Sequence, residues 1–101
     1  MNEIRLAAAY RKKHEIVGRN IAGERLLVPV SGRIAELKRI FALSTVAGFI
    51  WDRIDGCMTL RDIHGEILDR FGVESDEAER DLDAFINQLL QLDLIERIEV
   101  G

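Results

Sequence analysis

The hydrophobic period changes inside residues 43–56, and this constrains the chain more than any other feature. Leu43-Ser44-Thr45-Val46-Ala47-Gly48-Phe49-Ile50-Trp51-Asp52-Arg53-Ile54-Asp55-Gly56 reads as a strand end, a helix cap, an amphipathic helix and a stop. Ser44 or Thr45 carries the side-chain oxygen that accepts from the first free amides of a helix. Val46, Phe49, Ile50 and Ile54 follow at helical spacing along one face, and Asp55-Gly56 supplies a residue that tolerates positive φ. Strands therefore precede this segment and helices follow it.

Upstream, residues 1–13 form an arm in which Leu6, Ala7, Ala8, Ala9 and Tyr10 predict about two helical turns before the basic trio Arg11, Lys12 and Lys13. Residues 15–21 and 25–30 flank an Ala22-Gly23 turn and read as a hairpin, with Leu26, Val28 and Val30 alternating as in a half-buried strand. Pro29 lacks an amide donor, so it belongs where the ladder needs none. After the polar Ser31-Gly32 connection, residues 38–44 read as a third strand, with core candidates Phe41 and Leu43 on one face and Ile40 and Ala42 on the other.

Downstream, the first helix is expected over residues 46–54. A second starts at Thr59, whose hydroxyl and the Asp62 carboxylate make a capping box, turns Leu60, Ile63, Ile67, Leu68 and Phe71 inward, and stops at Gly72. The third begins near Ser75, with Asp76, Glu77 and Glu79 by the positive end of its dipole and Ala78, Leu82, Phe85, Leu89 and Leu92 as its inner stripe. Residues 94–100 suit a closing strand or a wing. The fold class is α+β, a three-stranded antiparallel sheet followed by three helices, winged helix-turn-helix-like. A chain of 101 residues has one core, which divides here into the arm, residues 1–13, and a domain, residues 14–101.

Composition and charge remove whole classes of function. Up to Ser44 there are nine Lys or Arg against four Asp or Glu, a net of +5; from Thr45 onward there are five against fourteen, a net of −9. A helix-turn-helix protein that reads a duplex puts its cations on its helices, so this acidic helical half makes nucleic acid an unlikely partner. His14 and His64 are far apart, and Cys57 has no ligand partner at metal-binding spacing, so no metal site is expected. His64 suits a hydrogen-bonded packing role, Trp51 a packing anchor and Cys57 an ordinary turn thiol. No nucleophile and base, raised carboxylate or glycine-rich phosphate loop is found, so neither enzymatic activity nor a cofactor is expected. No apolar run approaches the roughly 20 residues of a membrane span. With no secretory signal and a lone cysteine, this predicts a cytoplasmic protein without a membrane partner.

Backbone alone then offers a function. In a three-stranded meander the third strand is an edge that a visiting peptide can extend, and a groove between that edge and the third helix would select its side chains. On a helical wheel Ile86 and Leu90 lie off the inner stripe toward Glu79 and Asp83, where they form an apolar shoulder with acidic neighbours or else simply cover the sheet. An open edge also permits a homodimer.

Gly23-Glu24, Leu27-Val28-Pro29-Val30, the strand-to-helix segment, and Asp81, Phe85, Leu89, Leu92 and Leu94-Ile95 occur in an order that resembles the PqqD family over about residues 13–95. The family's usual asparagine is Ser44 here, which still caps a helix. The resemblance implies a peptide recognition element: a non-catalytic adaptor that holds the leader of a ribosomally made precursor peptide and presents it to a modifying enzyme, often a radical S-adenosylmethionine protein. It implies that the leader strand pairs with Arg39, Ile40, Phe41, Ala42 and Leu43 and lies near Asp83, Ile86 and Leu90. The family name points to pyrroloquinoline quinone biosynthesis, while members in other pathways leave the product open. The alternative is a winged-helix regulator touching nucleic acid or a protein through the basic sheet side, where Lys12, Lys13, Arg19, Arg25, Lys38 and Arg39 supply positive charge.

Overall fold

A computed structural model of the chain describes residues 3–13, 16–29 and 40–98. In order these form α1 (Glu3–Leu6), β1 (Ala9–Lys12), β2 (Ile16–Ile21), β3 (Glu24–Pro29), β4 (Phe41–Leu43), α2 (Thr45–Asp52), α3 (Leu60–Phe71), α4 (Ser75–Gln91) and β5 (Ile95–Ile98). Strands β2, β3 and β4 make a three-stranded antiparallel sheet in that order, and β1 pairs with β5 in a second, two-stranded sheet. The expected α+β class holds: a three-stranded antiparallel sheet followed by three helices.

The hairpin forms around Ala22 and Gly23, whose φ angles of 52° and 83° are both positive, as a two-residue turn matched to strand twist requires. Pro29 ends β3 opposite Ile16. Leu27 is the fully buried residue of this sheet and lies across the ladder from Phe41, which is half-buried against the core. Leu26 and Val28, on the opposite face, are half-buried as their alternation suggested, while Val30, Lys38 and Arg39 fall outside the described residues. Arg25 shares the face of Leu27. Its guanidinium lies over Gly18, where an added Cβ would come within 3.2 Å of Arg25 Nε, and its stem passes Gly48 of α2, where an added Cβ would lie 3.4 Å from Arg25 Cγ. Arg25 Nη1 then donates to Asp52 Oδ2 at 3.2 Å, so one ion pair ties sheet to helix at two glycines that leave room for it.

Local signals set the helix ends. Ser44 Oγ accepts the Ala47 amide at 3.1 Å and starts α2. The helix ends at Asp52, two residues before the expected limit, yet Ile54 stays buried because its amide folds back to the Trp51 carbonyl at 3.2 Å. Both halves of the Thr59–Asp62 capping box form, and Gly72 closes α3 in the left-handed region at φ 62°. On α4, Ala78, Leu82, Phe85, Ile86 and Leu89 are buried.

The arm departs from expectation. Its helix is the single turn of α1, and residues 9–12 are extended in β1. Tertiary partners override the helical propensity of the alanines. The Ala8 carbonyl accepts the Leu60 amide, the Tyr10 carbonyl accepts the Gly56 amide and the Lys13 amide donates to the Leu94 carbonyl, each at 2.9 Å. Ala8, Ala9 and Tyr10 are buried in consequence. The closing strand is the other half of this pairing, running antiparallel from Ala9 opposite Ile98 to Lys12 opposite Ile95.

Thr59→Ala should cost about 1 kcal/mol of stability in denaturant titration, the typical worth of an N-cap. Between α2 and α3, the Asp55 carboxylate accepts the Met58 amide at 2.9 Å and the Cys57 amide at 2.8 Å, which holds its pKa below the ordinary 3.8. A depressed carboxylate stabilises the fold above its unfolded-state pKa and loses that contribution as pH falls through its folded value. Asp55→Ala should therefore lower the melting temperature at neutral pH, by a margin that shrinks as the pH is taken below 3.8.

Candidate functional site

A groove of about 400 Å³ runs between β4 and the C-terminal half of α4, within the size range of ligand clefts. Ile40, Phe41, Ala42 and Leu43 form one wall, and Phe85, Gln88, Leu89 and Leu92 the other; Leu27 and Leu94 close the floor. Ser44 and Ala47 finish the end where β4 passes into α2. Among the described residues no charged side chain lines it.

The groove arises from a mismatch of lengths. Helix α4 has 17 residues and β4 has three, so the helix is about 25 Å long while the strand covers about 10 Å. The outer strand runs beside only part of the helix, where Phe85 and Leu89 are buried and Leu92 is half-buried, and Ala42 of the strand is exposed to solvent. Asp93, at φ 60°, turns the chain sharply after α4. The Leu94 amide thereby returns to the Leu89 carbonyl at 3.0 Å, placing Leu94 in the floor.

The sequence-derived site residues separate into two groups. Ile40, Phe41, Ala42 and Leu43 come together as the β4 wall; Arg39 lies outside the described residues. Asp83, Ile86 and Leu90 are not part of the groove lining. Asp83 Oδ1 is 2.9 Å from Arg5 Nη1, and the neighbouring Asn87 Oδ1 accepts from Arg5 Nη2 at 2.6 Å, so this flank of α4 faces the N-terminal segment. Ile86 is wholly buried in the core, and Leu90 is an exposed apolar residue away from the groove. The helix-side wall instead uses Phe85, Leu89 and Leu92, which the inner stripe already contained, together with Gln88. Their spacing marks them as apolar and inward, but nothing in it says that the sheet stops short of them.

A second recess adjoins the first. It shares Ser44, Ala47, Phe85 and Gln88 with the groove and continues between α2 and α4 past Val46, Ile50 and Ala84 to Asp81. A cleft with charged side chains lies on the other side of α2, around Arg25, Asp52 and Arg70. Nearby, Lys12 Nζ sits 4.7 Å from the Trp51 ring centre; burial lowers its pKa, which Asp52 partly offsets. Among the described residues no group of His, Cys, Asp and Glu could hold a metal ion. His64 Nε2 donates to the Ser75 carbonyl at 3.1 Å and joins α3 to the start of α4, and Cys57 is exposed.

Residues 24–95 match the family described as coenzyme PQQ synthesis protein D (PqqD). The chain belongs to the PqqD family. The match runs from β3 to the first residue of β5, so both walls of the groove lie inside the family region, whereas β1 and β2 lie outside it. Comparisons with curated proteins and with solved structures returned no match. Among the described residues no helix is long and apolar enough to cross a membrane.

Because Ile86 is a core residue, Ile86→Ala should destabilise the fold by about 2–5 kcal/mol. A denaturant titration of the variant beside the parent chain would read that loss.

Proposed function

We propose that this PqqD-family chain is a non-catalytic adaptor that binds the leader of a ribosomally made precursor peptide as an added strand along residues 40–43. It then presents the peptide to a modifying enzyme, with a radical S-adenosylmethionine protein as the leading choice for that partner. The carrying observation is the groove itself: the outer strand among the described residues forms one wall, Phe85, Gln88, Leu89 and Leu92 of α4 the other, and both lie in the family-matched region. Strand addition uses main-chain hydrogen bonds for register and the facing apolar wall for side-chain choice. Phe85, Leu89 and Leu92 would take alternate side chains of the visitor, because successive residues of a strand point to opposite sides.

The reading needs no catalytic group, and the two polar side chains that line the groove, Ser44 and Gln88, fit that role. Ser44 Oγ is occupied in capping α2, and the one other polar side chain in the lining is the Gln88 amide. The family description ties the chain to coenzyme PQQ synthesis, so the precursor of that coenzyme is the first peptide to try. A cytoplasmic location suits an adaptor working on newly made peptides.

Amide NMR titration with a synthetic leader from a precursor encoded beside the gene tests this. Shifts should concentrate in residues 40–44 and around residues 85–92, and Leu92→Ser should weaken binding about fivefold through lost apolar contact. Shifts confined to α3, with residues 40–44 unmoved, would sink the proposal.

A further inference from the structure

We propose, resting on the strand-addition reading above, that the groove selects a peptide whose apolar stretch is preceded by lysine or arginine, with Asp81 as the selecting residue. The groove and the adjoining recess form one continuous trough, since Ser44, Ala47, Phe85 and Gln88 border both. Along α4 its wall runs from Leu92 through Gln88 and Ala84 to Asp81, and Glu77 stands one turn further on. Steps of three or four residues keep these positions on one face of the helix. The trough is therefore lined by apolar side chains beside β4, apart from Ser44 and Gln88, and carries the Asp81 carboxylate beyond Ser44.

Asp81 is the charged residue among those lining either recess. Both Asp81 and Glu77 are exposed, and among the described residues neither side chain has an ion-pair or hydrogen-bond partner. Asp83, by contrast, is held by Arg5 on the other flank of the helix. Arg80 lines neither recess and does not neutralise the trough from within. A visitor carrying cations at this end gains complementary charge, and one carrying carboxylates meets repulsion.

Direction follows from the sheet. β4 runs toward Ser44, and a strand that continues the antiparallel order runs the opposite way, so the visitor's N-terminal side lies at Ser44. The basic residues thus precede the apolar ones in the visitor's sequence. An exposed pair is a modest attraction, and selection among otherwise equal peptides is the measurement that reveals it.

Selection of a display library of short random peptides on the immobilised full chain provides the test. Retained peptides should show alternating apolar positions with lysine or arginine before them, enriched about threefold over the unselected library. Selection on the exposed-site double variant Asp81→Asn with Glu77→Gln should keep the apolar alternation and lose the basic enrichment. Three outcomes overturn the charge selection while leaving strand addition standing: no basic enrichment, basic residues after the apolar positions, or enrichment that survives in the double variant. Retained peptides without apolar alternation, or peptides that move no amide of residues 40–44 by NMR, overturn both.

Discussion

The pairing of β1 with β5 decides what the rest of the molecule leaves open. The segment before β2 and the segment after α4 satisfy each other's main-chain groups in a sheet of their own. Had β1 added beside β4 instead, it would fill the trough that α4 borders. The same segment fastens the helical half, because the carbonyls of Ala8 and Tyr10 accept amides at the start of α3 and in the turn before it. The arm is thus consumed as structure at one place, and among the described residues β4 remains the outer strand of the main sheet.

Against that background the groove needs little further machinery. A long helix faces a short strand, and Phe85, Gln88, Leu89 and Leu92 of the helix become a wall. Ser44 joins the two levels of organisation: it ends the sheet, caps α2 and stands where the apolar groove passes into the acidic recess. Arg25, threaded past Gly18 and Gly48 to Asp52, keeps the sheet and α2 in register on the other side. A Cβ at Gly18 would crowd the guanidinium and one at Gly48 would touch the stem, which links two glycines to the geometry of the junction.

Thr59, Asp62 and Gly72 are legible in sequence because caps act over three or four residues, and the structure uses each as read. The stripe on α4 is legible for the same reason: helical spacing is a local property. Ile86 marks where local reading ends. A wheel places it beside the stripe, but whether that flank meets solvent or protein depends on distant segments such as α1, whose Arg5 reaches Asp83 and Asn87 from far away in sequence. The buried Ile86 and the Arg5–Asp83 pair are the outcome. The β4 wall was legible because an outer strand follows from meander order alone, whereas its partners on α4 required knowledge of how far the sheet extends.

By itself the sequence determined the order of strands and helices from β2 to β5, the caps of α2 and α3, the acidic character of the helical half and the resemblance to the PqqD family. These rest on contacts and periodicities spanning a few residues. Only the tertiary structure decided that the arm would be a strand, which flank of α4 would face the open trough and where Asp81 would sit relative to the apolar groove. Such choices depend on which of several comparable surfaces bury one another, and that competition is settled by the whole chain at once.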